Sequence, residues 1–547
     1  MFPSIHAPPL ATRIVAASTT QQAEMDFWTP SHFQSITGGC WLVAPTKNTP
    51  KITGFSFDTR SIKPGEIFLA IKGDERDGHE HIKTAIDKGA AIVFVERDAT
   101  DVQFQISNLK SQISNSKSEI SDASAPTAAI LLVPNSVGAL QQISAAWRDE
   151  LRKHQVKVIA VTGSSGKTTT RHMIHCALSA ALKGSQSVKS FNNHLGVPLT
   201  LLAAKTTDDF VVSEAGTNHP GEIETLAKIL RPDIAVITNI GSAHIGMFGS
   251  KDAIANEKSS LYRHLAPGGV AVINGTQPYV EAWKKNVVPA GVKCVTFGQE
   301  AACDVRTQGP STADERGLHF TLNGGTAVQL PLLGQHNIDN ALAAFAVSRA
   351  LMIEDGAAAR SLGSSTGVEM RMQIVRVGSC DAASGGNTAA ITIIHDAYNA
   401  NPDSMAAALQ TLVSLPSLNI KRRIAVLGDM LELGEASAEE HQKIAHMLGS
   451  FDQPQTRLAG EAGERESNEP KKIDMAILVG PHMMHAAAQL ARFWPVECLH
   501  YFEKWSDDLP AKVAAMLRAG DLVLLKASRG LRFERFVPEM ERVFANV

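Results

Sequence analysis

The stretch "VKVIAVTGSSGKTTTRHMI", from Val156 to Ile174, constrains this chain more than any other. An apolar run stops at a small glycine-bearing turn, and a lysine and three threonines follow. A strand, a tight turn and then a helix bring unpaired backbone N–H groups and the positive end of a helix dipole to one point. Gly163, Ser164, Ser165 and Gly166 let the backbone close around a phosphate. Lys167 can reach the outer phosphates, Thr168 can offer its hydroxyl to magnesium, and Thr169 extends the hydroxyl row. Relative to the pattern G-x-x-x-x-G-K-[ST], Val161 holds the place of the first glycine. Downstream, Met173, Ala177 and Ala181, with Ile174, Leu178 and Leu182, make an apolar stripe at helical spacing.

The same grammar recurs along the chain. "FVVSEAG", "DIAVITNIG" and "GVAVING" read as buried strands, and so do the apolar runs in "AAITIIHDAYNANP", "RIAVLGDM", "MAILVG" and "DLVLLKASRG". Apolar runs alternating with helical segments indicate α/β architecture, with largely parallel sheets covered by helices on both faces. Three regions separate by pattern: residues 1–152, with strand-like alternation and a Pro-Gly turn in "GFSFDTRSIKPGEIFLAIKG"; residues 153–368; and residues 369–547. Residues 105–127, polar and nearly self-repeating, read as a solvated, mobile insertion. "SCDAASGGNT" and "DQPQTRLAGEAGERESNEPKK" read as surface loops.

Bulk properties exclude several classes. The 547 residues carry 52 Lys plus Arg against 55 Asp plus Glu, a formal net charge of −3, so nothing favours a nucleic-acid partner. Six cysteines at irregular spacing form no C-x-x-C pair, which argues against zinc and a disulfide framework. Prolines interrupt the N-terminal segment where a signal peptide needs an apolar core, and no apolar run reaches about 18 residues. The expectation is a soluble, cytoplasmic monomer.

Polar residues cluster at strand ends, where open α/β sheets bind ligands. Glu214 follows one apolar run and His244 another; both suit a magnesium–phosphate site, and both suit ordinary capping or structural roles. By composition Lys258 reads as a surface lysine on a helix. Asn337 and Asn340, at i, i+3, share a helix face and could read an adenine edge or cap the helix. Asp396, Tyr398, Asn399 and Asn401 crowd a strand terminus before Pro402, as function or as a turn. "VLGDMLELGEASAEEH" and "LLKASRGLRFE" are similar strand-end loops, the second bearing Lys526, Arg529 and Arg532.

Taken together, "FDTRSIKPGEIFLAIKGDERDGHEHI", "VTGSSGKTTT", "NNHLGVPLTLL", "NIGSAHIGMFGS", "GQHNIDNALAA", "DAYNANPDSM", "LGDMLELGE" and "KASRGLRFE" resemble the Mur ligase family, the ATP-dependent amide-forming enzymes of peptidoglycan precursor synthesis. The resemblance spans nearly the whole chain. "DAYNANPDSM" with "LGDMLELGE" points to the member that adds D-alanyl-D-alanine to a UDP-N-acetylmuramoyl-tripeptide. It implies three domains: a UDP-sugar-binding domain, a central ATP-binding domain and a C-terminal Rossmann-like domain. Thr59, Arg60, Lys72, Asp77, Gly78 and His79 would lie near the uridine diphosphate. Lys167 would grip the β- and γ-phosphates; Thr168, Glu214 and His244 would serve Mg2+; Lys258 matches a position that relatives carry carbamylated. Asn337 would meet adenine, with Asn340 beside it. Arg371 and Asp396 would act as the third domain swings in, and Tyr398, Asn399 and Asn401 would border the dipeptide. Rival readings are a family member that adds one amino acid such as diaminopimelate or lysine, a folylpolyglutamate synthase, and a non-catalytic nucleotide sensor. "DAYNANP", the lack of a "DNPR" and the intact Lys167, Thr168, Glu214 and His244 argue against them.

Overall fold

The computed structural model describes residues 26–96, 128–314, 316–378, 391–415, 420–451 and 473–545. The 105–127 insertion and the two loops expected at "SCDAASGGNT" and "DQPQTRLAGEAGERESNEPKK" fall outside them. Two compact units result. The first comprises Met1–Ala160, Leu182–Gly216 and Glu222–Asp233; the second comprises Val161–Ala181, Thr217–Gly221 and Ile234–Val547.

In the first unit, β1 (Cys40–Val43), β2 (Gly54–Ser56), β3 (Glu66–Leu69), β4 (Ile92–Glu96) and β5 (Ala129–Val133) form a sheet in the order β1-β5-β4-β3-β2. Only the β1–β5 pair is antiparallel. The Pro-Gly turn leads into β3, which lies parallel to β2, so the two are joined by a crossover and not a hairpin. Helix α1 (Ser136–Lys153) is started by Asn135, whose side chain accepts from the Gly138 N–H. Trp147 from α1 packs with Phe27 and Trp28. The unit also takes the start of β6 (Lys157–Thr162), with β7 (Gly184–Gln186) parallel to β8 (Phe210–Glu214).

The second unit begins within β6 and continues into α2 (Lys167–Ser179). β9 (Ile234–Ile237), β10 (Val270–Asn274) and β11 (Lys293–Phe297) pair in parallel, with α3 (Lys251–Arg263) between β9 and β10 in the chain. A small antiparallel sheet, β12 (Thr312–Asp314), β13 (Gly317–Thr321) and β14 (Ala327–Leu330), follows, unannounced by the sequence pattern. Helix α4 (His336–Ala350) packs on α2. The predicted stripe on α2 is shorter than expected: Met173, Ile174, Ala177 and Leu178 are buried, but the helix ends at Ser179 and Ala181 is exposed.

The last region holds β15 (Gln373–Val377), β16 (Ile391–His395), α5 (Pro402–Ser414), β17 (Arg422–Gly428), α6 (Ser437–Ser450), β18 (Met475–Val479), β19 (Leu499–Phe502), β20 (Asp521–Lys526) and α7 (Phe536–Phe544). The sheet order is β15-β16-β20-β17-β18-β19, antiparallel only at β15–β16. Successive residues feed opposite cores. Ile394, Leu427, Leu478 and Leu524 join α5 and α6 on one face, while Ile393, Val426, Ile477 and Val523 join α7 on the other. A strand buried on both faces must be apolar at every position, which is why these runs do not alternate. The five described cysteines are free thiols. No helix among the described residues is long and apolar enough to cross a membrane.

Candidate active site

Between β6 and α2 the chain turns through Gly163–Gly166. Gly166 adopts φ 79°, and a β-carbon there would stand 2.5 Å from Oδ1 of Asn340, so both conformation and space require glycine. The turn is tied to the end of β9. Ser164 N donates to the Asn239 carbonyl at 3.0 Å, Ser165 N donates to Asn239 Oδ1 at 3.0 Å, and the Thr238 hydroxyl donates to the Ser165 carbonyl at 2.6 Å. The Lys167 ammonium folds over the turn, donating to the carbonyls of Gly163 at 2.8 Å and Ser164 at 3.3 Å. Thr168, Thr169 and Thr170 are buried in the first turn of α2. The result is a braced loop with a cation and a helix N-terminus at one place, suited to a polyphosphate.

Residues of the last region reach this loop. Arg371 donates from Nη2 to Thr168 Oγ1 at 2.8 Å, and its guanidinium lies 4.1 Å above the centre of the Tyr398 ring. That stacking holds the long side chain in line. Asn401 caps α5 through a reciprocal bond with Ser404, and its Nδ2 donates to Ser165 Oγ at 3.2 Å. Asp396 Oδ2 is 2.6 Å from the buried ammonium of Lys526, which also donates to the Asn399 carbonyl at 3.1 Å. Lys526 therefore organises the Asp396–Asn401 turn. The sequence marks it only as a cation closing an apolar run.

Lys258 corrects the surface reading. It is 1% exposed on α3, where Glu257, Ser259 and Ser260 are buried too. Burial pushes its pKa well down, the nearby Lys167 charge adds to that, and Glu257 opposes it. His244 stands at φ 62°, with Nδ1 2.8 Å from Glu432 Oε2. Asn337 and Asn340 do share a face. Asn340 Nδ2 donates to Asn337 Oδ1 at 2.8 Å, Asn337 Nδ2 donates to the Leu333 carbonyl at 2.6 Å, and Thr170 Oγ1 donates to Asn340 Oδ1 at 3.0 Å. These amides join α4 to α2.

In the first unit, Glu214 ends β8, buried, with Oε1 accepting from Asn192 Nδ2 at 2.9 Å. The Asp77-Gly78-His79 corner is built rather than loose. Asp77 caps a short 3-10 turn, His79 is buried with Nδ1 2.6 Å from Asp77 Oδ1, and its Nε2 accepts from the Glu96 N–H at 3.1 Å. Lys72 bridges to Asp77 through the backbone. Arg60 is exposed and paired with Asp58 at 2.7 Å; that bond holds the Asp58 carboxyl down to about 2. The Thr59 carbonyl accepts from Lys88 at 2.7 Å.

Three family models match: the Mur ligase family catalytic domain over residues 51–148, the Mur ligase middle domain over 161–348, and the Mur ligase glutamate ligase domain over 370–529. The UDP-N-acetylmuramoyl-tripeptide–D-alanyl-D-alanine ligase of Bacillus subtilis is 32% identical over 501 residues, covering 91% of this chain and 95% of its own. Its counterpart from Mycobacterium leprae is 32% identical, covering 92% and 96%. Among solved structures, MurF from Acinetobacter baumannii superimposes with a TM-score of 0.73 at 28% identity, over 94% of this chain and 99% of that one. A MurF ligase from Thermotoga maritima in complex with ADP shares the fold, with a TM-score of 0.67 at 24% identity over 91% and 98%.

Proposed function

The chain belongs to the Mur ligase family, and from that premise we propose how its residues carry out ATP-dependent joining of D-alanyl-D-alanine to UDP-N-acetylmuramoyl-tripeptide in peptidoglycan precursor synthesis. One observation carries the reading: Arg371 and Asn401 of the last region meet the phosphate loop at Thr168 and Ser165.

The tripeptide carboxylate attacks the γ-phosphorus of ATP. A carboxyl O–P bond forms, the bond to ADP breaks, and an acyl phosphate results. Nucleophile and phosphate are both anionic, so Lys167, the α2 N-terminus and Arg371 oppose their repulsion. The dipeptide amine then attacks the acyl carbon, the tetrahedral oxyanion collapses, phosphate leaves and the amine loses a proton. Water must be kept from the acyl phosphate, which is the task assigned to the last region as it covers the loop.

Magnesium takes oxygen donors and keeps several waters, so it needs few protein ligands. The Thr168 hydroxyl and Glu214 carboxylate are donors of that type, and His244 and a carbamylated Lys258 complete the proposed set. A Lys258 amine driven toward its neutral form is suited to capture carbon dioxide. Bound magnesium would supply further neutralisation of phosphate charge.

The remaining assignments are part of this proposal. Residues 1–152 hold the UDP-sugar through Thr59, Arg60, Lys72 and Asp77–His79; residues 153–368 bind ATP, with Asn337 and Asn340 toward adenine; residues 369–547 bring Asp396 and, at the dipeptide, Tyr398, Asn399 and Asn401. The enzyme is a cytoplasmic monomer. Phosphate release with UDP-muramoyl-tripeptide, with and without D-Ala-D-Ala, tests the reading. Release should require the dipeptide, and Lys167→Ala should abolish it with the fold intact. Release driven by single amino acids instead, or near-normal turnover in Lys167→Ala, overturns it.

A further inference from the structure

Beyond β9 the chain runs through "GSAHIGMFGS", and two carboxylates from the last region take hold of it. His244 adopts φ 62° and faces Glu432, itself at φ 67°. Both are non-glycine residues in the left-handed region, where a β-carbon is costly, and such conformations persist only when the surroundings over-determine them. The backbones are close here: a β-carbon on Gly246 would be 3.0 Å from the Gly434 nitrogen. Nearby, the Ser242 N–H donates to Asp403 Oδ2 at 2.7 Å. A β-carbon on Gly241 would overlap that same oxygen. Asp403 lies in the first turn of α5, where the helix dipole favours a carboxylate.

We infer that Asp403 and Glu432 form a two-carboxylate clasp that positions the Gly241–His244 loop, and His244 with it, for formation of the acyl phosphate. They are positioning residues; they act through His244 and the loop backbone. A carboxylate at Nδ1 keeps the imidazole proton on that nitrogen and leaves Nε2 as the lone-pair nitrogen. Because Glu432 belongs to the last region, the orientation of His244 depends on that region being seated on the phosphate loop. Chemistry is thereby coupled to coverage of the site.

The inference rests on the proposed ligase function for its activity readout and stands apart from it in a second one. In full-length protein, Glu432→Gly removes the carboxylate while relieving the left-handed backbone. Its thermal midpoint should match or exceed the parent's, its kcat for dipeptide-dependent phosphate release should fall about tenfold or more, and its KM for ATP should stay within about twofold. Glu432→Gln, which keeps an acceptor oxygen for the Nδ1 proton, should recover most of the lost kcat. Without any ligand, amide exchange across residues 239–249 should quicken severalfold in Glu432→Gly and in Asp403→Ala. Unchanged exchange in both variants, or a Glu432→Gly kcat within about twofold of the parent, removes the clasp. If the parent itself shows no dipeptide-dependent release, the ligase reading has failed and the exchange data alone decide the clasp.

Discussion

Two lysines lie equally deep in the second unit, and their surroundings are opposite. Lys526 closes β20 in the last region and Lys258 sits on α3 in the central one, each 1% exposed. Lys526 is met by oxygen: a carboxylate of Asp396 at 2.6 Å and the Asn399 carbonyl at 3.1 Å. Lys258 has the cation of Lys167 in its field and Glu257 in partial opposition, and burial dominates both. One site uses its hydrogen bonds to hold a turn; at the other, burial disfavours the charged amine. Depth alone does not assign a role to a buried lysine, whereas its nearest charged and hydrogen-bonding neighbours do.

That contrast can be broken by substitution. The largest effect belongs to Lys526→Met, which takes the ammonium from the half-buried Asp396 carboxylate and from the Asn399 carbonyl; we expect a loss of about 2–4 kcal/mol in urea unfolding. Adding Asp396→Asn should return about 1–3 kcal/mol of that loss in a double-mutant cycle, because the pair and not either member is the stabilising unit. If the double variant unfolds no later than the single one, the ion pair is not what Lys526 contributes. Lys258→Met should change stability by less than about 1 kcal/mol, since it exchanges an amine that burial disfavours for an apolar chain of similar volume. Ligation should nevertheless collapse, and a variant that still ligates would show that Lys258 has no chemical part.

The smallest effect sharpens the comparison with a third buried base. His441 on α6 accepts the Met430 N–H at Nε2 (3.0 Å), and its Nδ1 lies 2.7 Å from the Ser437 carbonyl, so both nitrogens are used by the neutral ring. Burial lowers its pKa, against the Ser437 hydrogen bond. The sign follows from linkage. Below about 6.5 the unfolded chain takes up a proton that the native ring does not, so stability falls as pH drops through that value toward the lowered native pKa. Urea midpoints between pH 7 and 5 should decline less in His441→Gln; parallel decline in both proteins would clear His441 of any part in acid sensitivity.

The strand–turn–helix at Gly163–Gly166 and the strand runs were legible because each is local. Turn, cation and hydroxyls are consecutive, and a strand buried on both faces must be apolar throughout. Asn337 and Asn340 were legible as a pair on one face, but not in what they bond, because Thr170 and Leu333 are brought to them by folding. The resemblance singled out Lys258, but its burial was illegible: "NEKSS" is polar, and nothing local says that α3 turns those residues inward. The overlong stripe ending at Leu182 failed for a related reason, since apolar spacing continues past the point where helical hydrogen bonds stop. Glu432 lies within the quoted "LGDMLELGE", but nothing in that stretch marks it off from its neighbours. A left-handed glutamate is seen only once its partner, 188 positions earlier in the chain at His244, is in place.

Position 241 has a use of its own. Its missing methyl group is the space that the Asp403 carboxylate fills, with the Ser164 β-carbon 3.4 Å away on the other side. A single added carbon there is a doorstop of molecular size. Gly241→Ala would force the Asp403 carboxylate off the Ser242 N–H, and so part the start of α5 from the chain beyond β9 by the width of one methyl group.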